Sequence, residues 1–225
     1  MPLTGPSIVG TVAAPSDRRT FAEFKAELTR PFNDSDEVTL KLAGDCLNQA
    51  IRKLNRKLWS WEVYTADNIS VTSGTETYAL PQPFKKPLSA YFLESGREHK
   101  RLLHVPLETL YGEYDLKHDA EPTCYTLKNV FETGQITLWP RPSSAYTLRV
   151  HYYRRTPILR NDTEPAEFPP EAEGALLAEA MYQMMRRIPG QGMLGRMPVS
   201  KRDAEQAWSE LVAFEIEPGD SVGVV

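Results

Sequence analysis

The chain has 225 residues, of which 41% are hydrophobic, 10% aromatic and 25% charged. That composition lies near the globular average and excludes a disordered, collagenous or repetitive chain. Lys+Arg 26 against Asp+Glu 30 leaves a net charge of −4, which argues against a protein whose main work is gripping nucleic acid by its phosphates.

The first fifteen residues hold prolines and glycines without charge or periodicity and read as an extended N-terminal arm, 1–15. No basic region followed by an apolar stretch opens the chain, so no secretory leader is expected. From Thr20 the pattern turns helical, with Phe21, Phe24 and Leu28 on one side, until Pro31 breaks it. A second helix starts at Asp34 or Ser35, where Asp34 and Glu37 have capping-box spacing. Its apolar residues Val38, Leu42, Cys46, Ala50, Leu54 and Leu58 recur every four positions, joined by Leu40, Leu47 and Ile51. This predicts a helix buried between neighbours.

At Trp59-Ser-Trp61 the period changes from helical to alternating. Strands are predicted on either side of a Ser73-Gly74-Thr75 turn, in a hairpin turning at Glu94-Ser-Gly96-Arg97, and over 123–127, 135–139 and 146–154, with a helical turn or two at 107–114. Helix resumes after Pro169-Pro170, where proline at the first helical position lacks only an N–H that would be orphaned anyway. It runs to about Arg187, and a last helix covers about 200–215 before Pro218-Gly219.

The expected fold is α+β. It is a helical bundle with an inserted antiparallel β-sandwich or barrel domain and extended N- and C-terminal arms. The bundle is discontinuous, 16–60 and 168–216; the β-domain is 61–167; the C-terminal tail is 217–225.

Motifs for chemistry are weak. Gly190-Gln-Gly192-Met-Leu-Gly195 has the spacing of a dinucleotide fingerprint, but it follows a helix and Pro189 rather than a strand. Cys46 and Cys124 are too few and too far apart for a disulfide framework or zinc site. The four histidines, His99, His104, His118 and His151, lack metal-ligand pairing. A Cys124–His151 nucleophile and base would need a chance meeting across strands. The acidic residues Glu113, Asp115, Asp119 and Glu121 could supply two carboxylates for glycoside cleavage. Basic residues gather at Arg97, His99, Lys100 and Arg101, around Arg186, Arg187, Arg196, Lys201 and Arg202, and at Arg52, Lys53, Arg56 and Lys57, where cations suit a helix C-terminus. No catalytic residue, metal or cofactor is expected, and no apolar run reaches the roughly 18–20 residues of a membrane span.

The order of landmarks carries more. A helix ending in Trp59-Ser-Trp61 is followed by a glycine turn into Tyr78-Ala-Leu-Pro81, then Pro122 with Tyr125 and Leu127. Leu138-Trp-Pro-Arg-Pro142, Leu148-Arg-Val-His-Tyr-Tyr-Arg154 and a helix launched from Pro169-Pro170 complete the set. Over about 35–187 this resembles the head-to-tail adaptor (connector) proteins of tailed bacteriophages, the group similar to podovirus tail tubular protein A. The resemblance implies a non-enzymatic virion protein of the neck, assembled in the host cytoplasm. It would dock as a twelvefold ring beneath the portal protein, offer a platform to tail or nozzle proteins and let DNA pass through its lumen without sequence-specific binding. The alternatives are a virion glycan-cleaving hydrolase and a glycan-binding β-module. The tail Glu217, Pro218, Gly219, Asp220, Ser221, Val222, Gly223, Val224 and Val225 is the candidate partner contact, because its β-branched end suits strand addition to a sheet edge.

Overall fold

A computed structural model of the chain describes residues 18–113, 118–129, 134–188 and 197–216. The chain divides into two compact units: one lies before Leu58 and after Arg155, the other is Leu58–Arg155. The return stretch 156–167, expected within the β-domain, belongs instead to the helical unit. Its fastening to α2, described below, is the reason.

Helix α1 (Phe21–Thr29) opens with a capping box, in which the Thr20 N–H donates to Glu23 Oε2 at 2.6 Å. A 3-10 turn, Arg30–Phe32, carries Pro31. Helix α2 (Glu37–Leu54) is capped by Asp36, which accepts from the Thr39 N–H at 2.6 Å, while Asp34 braces the turn by accepting from the Asp36 N–H. The capping box expected at Asp34–Glu37 is therefore corrected to an Asp36 cap.

The buried stripe of α2 also differs from the predicted one. It runs through Thr39, Ala43, Cys46, Leu47, Ala50, Ile51 and Leu54, whereas Val38 is 75% and Leu58 41% exposed. With about 3.6 residues per turn, a strict four-residue series drifts by about 40° per step. The predicted set thus winds off the buried face at Val38, while Leu58 lies beyond the helix, which ends at the buried Leu54. Gly44 lets α1 pack close: a Cβ there would stand 2.7 Å from Phe21 Cζ.

Helix α3 (Leu107–Glu113) lies in the β-rich unit, and α4 (Pro170–Arg187) and α5 (Met197–Ile216) follow in the helical unit. Pro170 occupies the first turn of α4, as its fixed φ favours. Helix α4 packs on α1, α2 and α5, burying Ala172, Ala175, Leu176, Ala180 and Met184.

The returning chain is held by Asn48 of α2 and by Asn55 at its C-terminal cap. Asn48 Nδ2 donates to the Leu159 carbonyl at 2.8 Å while its Oδ1 accepts from the Leu159 N–H at 2.9 Å. Asn55 makes the same double bond with Thr156, at 2.8 and 2.9 Å. Beyond it, the Phe21 and Ala22 N–H groups donate to the Glu164 and Asp162 carbonyls, and Lys25 pairs with Asp162.

The second unit begins with a 3-10 turn, Ser60–Glu62, beside stacked Trp59 and Trp61, 4.7 Å between centroids. Its strands are β1 (Val63–Val71), β2 (Thr77–Ala79), β3 (Phe84–Glu94), β4 (Arg97–His104), β5 (Asp119–Ala120), β6 (Cys124–Lys128), β7 (Gln135–Trp139), β8 (Arg141–Pro142) and β9 (Tyr146–Arg154). Seven form one sheet in the order β1-β9-β3-β4-β6-β7-β2, antiparallel except for the parallel β4–β6 contact; β5 and β8 form a separate pair.

Of the sandwich or barrel expected, the structure shows a curled, antiparallel-dominated sheet, a half-barrel. Val71 at one end of the sheet and Ile136 and Leu138 near the other share one core with Phe84, Phe92, Leu148 and Val150. One sheet meets that demand only by curling. The hairpin β3–β4 stands where the sequence places it, with Ser95 (φ 51°) and Gly96 (φ 78°) both left-handed, as a tight two-residue turn requires.

The packing separates three substitutions. Leu54→Ala is expected to cost about 2–5 kcal/mol as a buried truncation, Val38→Ala less than about 0.5 kcal/mol, and Asn48→Ala about 1–3 kcal/mol by stranding the Leu159 backbone groups. Urea unfolding of each variant checks the ranking.

Candidate functional site

Among the described residues, the positions singled out by sequence do not converge on a reactive centre. The tail 217–225, the arm 1–15, Gly190–Gly195, Arg196 and Asp115 lie outside the described residues, as does the side chain of Glu113. Asp119 is engaged by both Nε and a terminal nitrogen of Arg141, the latter at 2.8 Å. The guanidinium holds the Asp119 carboxyl below the usual carboxylate range. A glycosidase proton donor needs the opposite shift. Glu121 pairs with Lys100 at 3.1 Å.

Cys124 packs with Val105 and Leu110 on β6, and burial pushes its thiol up. Two strands, β3 and β4, separate it from His151 on β9, so the two are not brought together. Burial also pushes the Cys46 thiol up to about 11, the direction of an inert rather than a nucleophilic cysteine. Among the described residues no group of three or more His, Cys, Asp or Glu is placed to hold a metal ion.

The basic clusters are partly spent within the fold. His99 meets Glu94 at 3.2 Å, Arg187 donates to Gln49 Oε1 at 2.9 Å, Arg186 lies over the Tyr182 ring and Lys201 faces Glu205.

Two polar networks went unseen in the sequence. On the sheet, His151 bridges Thr65 Oγ1 and Glu98 Oε1, each at 2.8 Å, and Arg149 donates to the same carboxylate at 3.3 Å. Thr65 faces His151 directly in the β1–β9 register. The order carboxylate, imidazole, hydroxyl is that of a hydrolytic triad, but here it is a ladder of side chains across the sheet, from β4 over the intervening β3 to β9 and β1. Burial raises the Glu98 pKa, yet the hydrogen bonds from His151 and Arg149 outweigh it and leave the carboxyl below its ordinary range.

In the helical unit Glu179 of α4 is 7% exposed. Its Oε2 accepts from Lys53 Nζ of α2 at 2.5 Å and from Trp208 Nε1 of α5 at 3.1 Å, and its Oε1 accepts from Gln183 at 2.9 Å. Burial again pushes this carboxyl up, and the three donors together bring it below the usual range.

What faces outward is apolar at isolated positions. Val38 is 75%, Leu103 65%, Phe214 56%, Val199 51% and Leu88 50% exposed. No helix among the described residues is long and apolar enough to cross a membrane. The molecule thus satisfies its buried charges internally and leaves side chains suited to protein contact on its exterior.

Both networks have a pH signature. A carboxyl whose folded-state pKa is depressed stabilises the fold above the unfolded pKa, near 4.5 for glutamate, and loses that contribution as pH falls through the folded value. The urea midpoint is therefore expected to fall on acidification below about pH 4.5. In Glu179→Gln, part of that acid dependence disappears.

No curated protein matches the chain. The profile of the family described as SU10 adaptor protein matches residues 19–215, which takes in both units. With nearly the whole described chain covered, the protein belongs to the SU10 adaptor protein family, a family of bacteriophage adaptors that are components of the virion.

Proposed function

We propose that the chain is a structural, non-enzymatic adaptor that closes into a ring, twelvefold in the reading adopted here, below the portal protein of a tailed phage. The ring presents a platform to tail or nozzle proteins and lets DNA pass through its lumen without sequence-specific contacts. Assembly takes place in the host cytoplasm, and the narrower likeness to podovirus tail tubular protein A is part of this reading. Family membership over residues 19–215 carries it.

Physical observations support it. A closed ring of identical subunits needs heterologous contacts, each subunit offering two different surfaces, and exposed large apolar side chains stand on both units, Val38 and Phe214 on one, Leu88 and Leu103 on the other. A net charge of −4 suits a conduit, since DNA that must slide is poorly served by many phosphate contacts.

In this reading the β-rich stretch is an insertion into a discontinuous helical unit, and the two terminal stretches serve contacts. Residues 217–225 dock on a neighbouring chain or the portal by strand addition, in which main-chain hydrogen bonds give affinity. The mass of the purified protein, alone and with a portal ring, tests the assembly, a closed multimer on the portal being the expected result. Deleting 217–225 is expected to leave the unfolding midpoint unchanged and weaken portal binding. Undiminished binding would assign the tail no role.

A further inference from the structure

We propose that α5 is a latched helix, opening from α4 as a unit while α1, α2 and α4 stay packed, with the Glu179 carboxylate as the latch. The inference is independent of the adaptor reading.

Three observations carry it. First, α5 docks through a narrow stripe. Among its described side chains only Ser200, Ala204, Trp208 and Leu211 are buried, and Trp208 is the one large anchor. Helix α4, by contrast, is packed by α1 and α2 as well as α5, and α1 and α2 pack on each other. Removing α5 therefore leaves the contacts among the other three in place, which is the condition for sub-global opening.

Second, the docked state buries a charge. Glu179 and Trp208 are 7% and 8% exposed, and taking a carboxylate out of water offsets much of what apolar contact contributes. When α5 leaves, Glu179 regains water and keeps Lys53 and Gln183, while the indole N–H finds a solvent partner. Opening is thus easier than the contact of a 20-residue helix suggests.

Third, the latch is shared with a helix other than the two it joins. Lys53 of α2 donates to Glu179 and also lies 4.8 Å over the Trp208 ring. It neutralises the carboxylate and grips the indole at once. A substitution on α2, with the sequence of α5 unchanged, should therefore open α5: without the ammonium, the indole loses its cation and the docked state holds an inadequately paired charge that opening can solvate.

Hydrogen exchange read by mass spectrometry on the full chain tests this. In the unsubstituted protein, α5 amides are expected to be protected, but less than those of α2 and α4. Trp208→Phe, which keeps an aromatic ring but loses the N–H, is expected to speed α5 exchange about ten-fold or more, as loss of a hydrogen bond to a charged group implies. Lys53→Met, which keeps the apolar stem, is expected to do the same, with α2 and α4 unchanged in both. Leu47→Ala, in the α2 core, is the control and should speed exchange in all three helices together. The proposal is overturned if α5 exchanges in step with α2 and α4 in every variant, if Lys53→Met leaves α5 unchanged, or if α5 is unprotected in the parent chain.

Discussion

Two asparagine side chains set the condition on which the helical unit depends. The chain leaves that unit after Lys57 and re-enters it at Thr156, and its first residues on return are seized by Asn55 and then Asn48, each carboxamide giving and taking one hydrogen bond with a backbone peptide. The spacing is matched on both sides. Seven residues of helix at about 1.5 Å each span about 10.5 Å, and three residues of extended chain at about 3.3 Å span about 10 Å. A carboxamide is the side chain that satisfies both an N–H and a C=O, so neither aspartate nor alanine can replace it there. With the return fixed alongside α2, residues 160–166 reach α1 and α4 starts from Pro170 in position to pack on α2.

The same economy recurs wherever charge is buried. Glu179 has three donors, and Lys85 and Glu62, 8% and 3% exposed, pair at 2.5 Å at the entrance to the sheet. Each pair joins elements distant in sequence. Buried pairs of this kind add little net stability but penalise wrong arrangements, since a misplaced partner leaves a charge uncompensated. Asp119, Cys124 and Cys46 are all shifted in the directions that disfavour proton donation or nucleophilic attack. A role carried by contact surfaces is what membership of an adaptor family suggests.

Much of this was legible locally. The hairpin at Glu94–Arg97, the strands 135–139 and 146–154, the break at Pro31 and the long α4 launched from Pro170 follow from turn residues and periodicity within a short window. Features that depend on which strands meet were not. Strands β1 and β2 flank the Gly74 turn, yet they pair with β9 and β7 at opposite edges of the sheet, so no local pattern reveals the curl. The His151–Glu98–Thr65 ladder needs the register of four strands, and the Glu179 latch needs three helices in place. Asn48 and Asn55 do carry a signal, two carboxamides one heptad apart on a helix, but its meaning appears only with the chain they hold. The predicted α2 stripe fails at Val38 because a four-residue repeat and a 3.6-residue helix stay in phase for only a few turns, and at Leu58 because the helix has ended at Leu54.

The central claim, a ring-forming adaptor between head and tail, is most directly tested by electron cryomicroscopy of phage particles that carry this chain. The account predicts a closed ring of copies immediately below the portal, each traceable to the α2–α4–α5 packing and the curled sheet described above. Particles in which the chain lies elsewhere, or in which the portal meets the tail without it, would contradict the account.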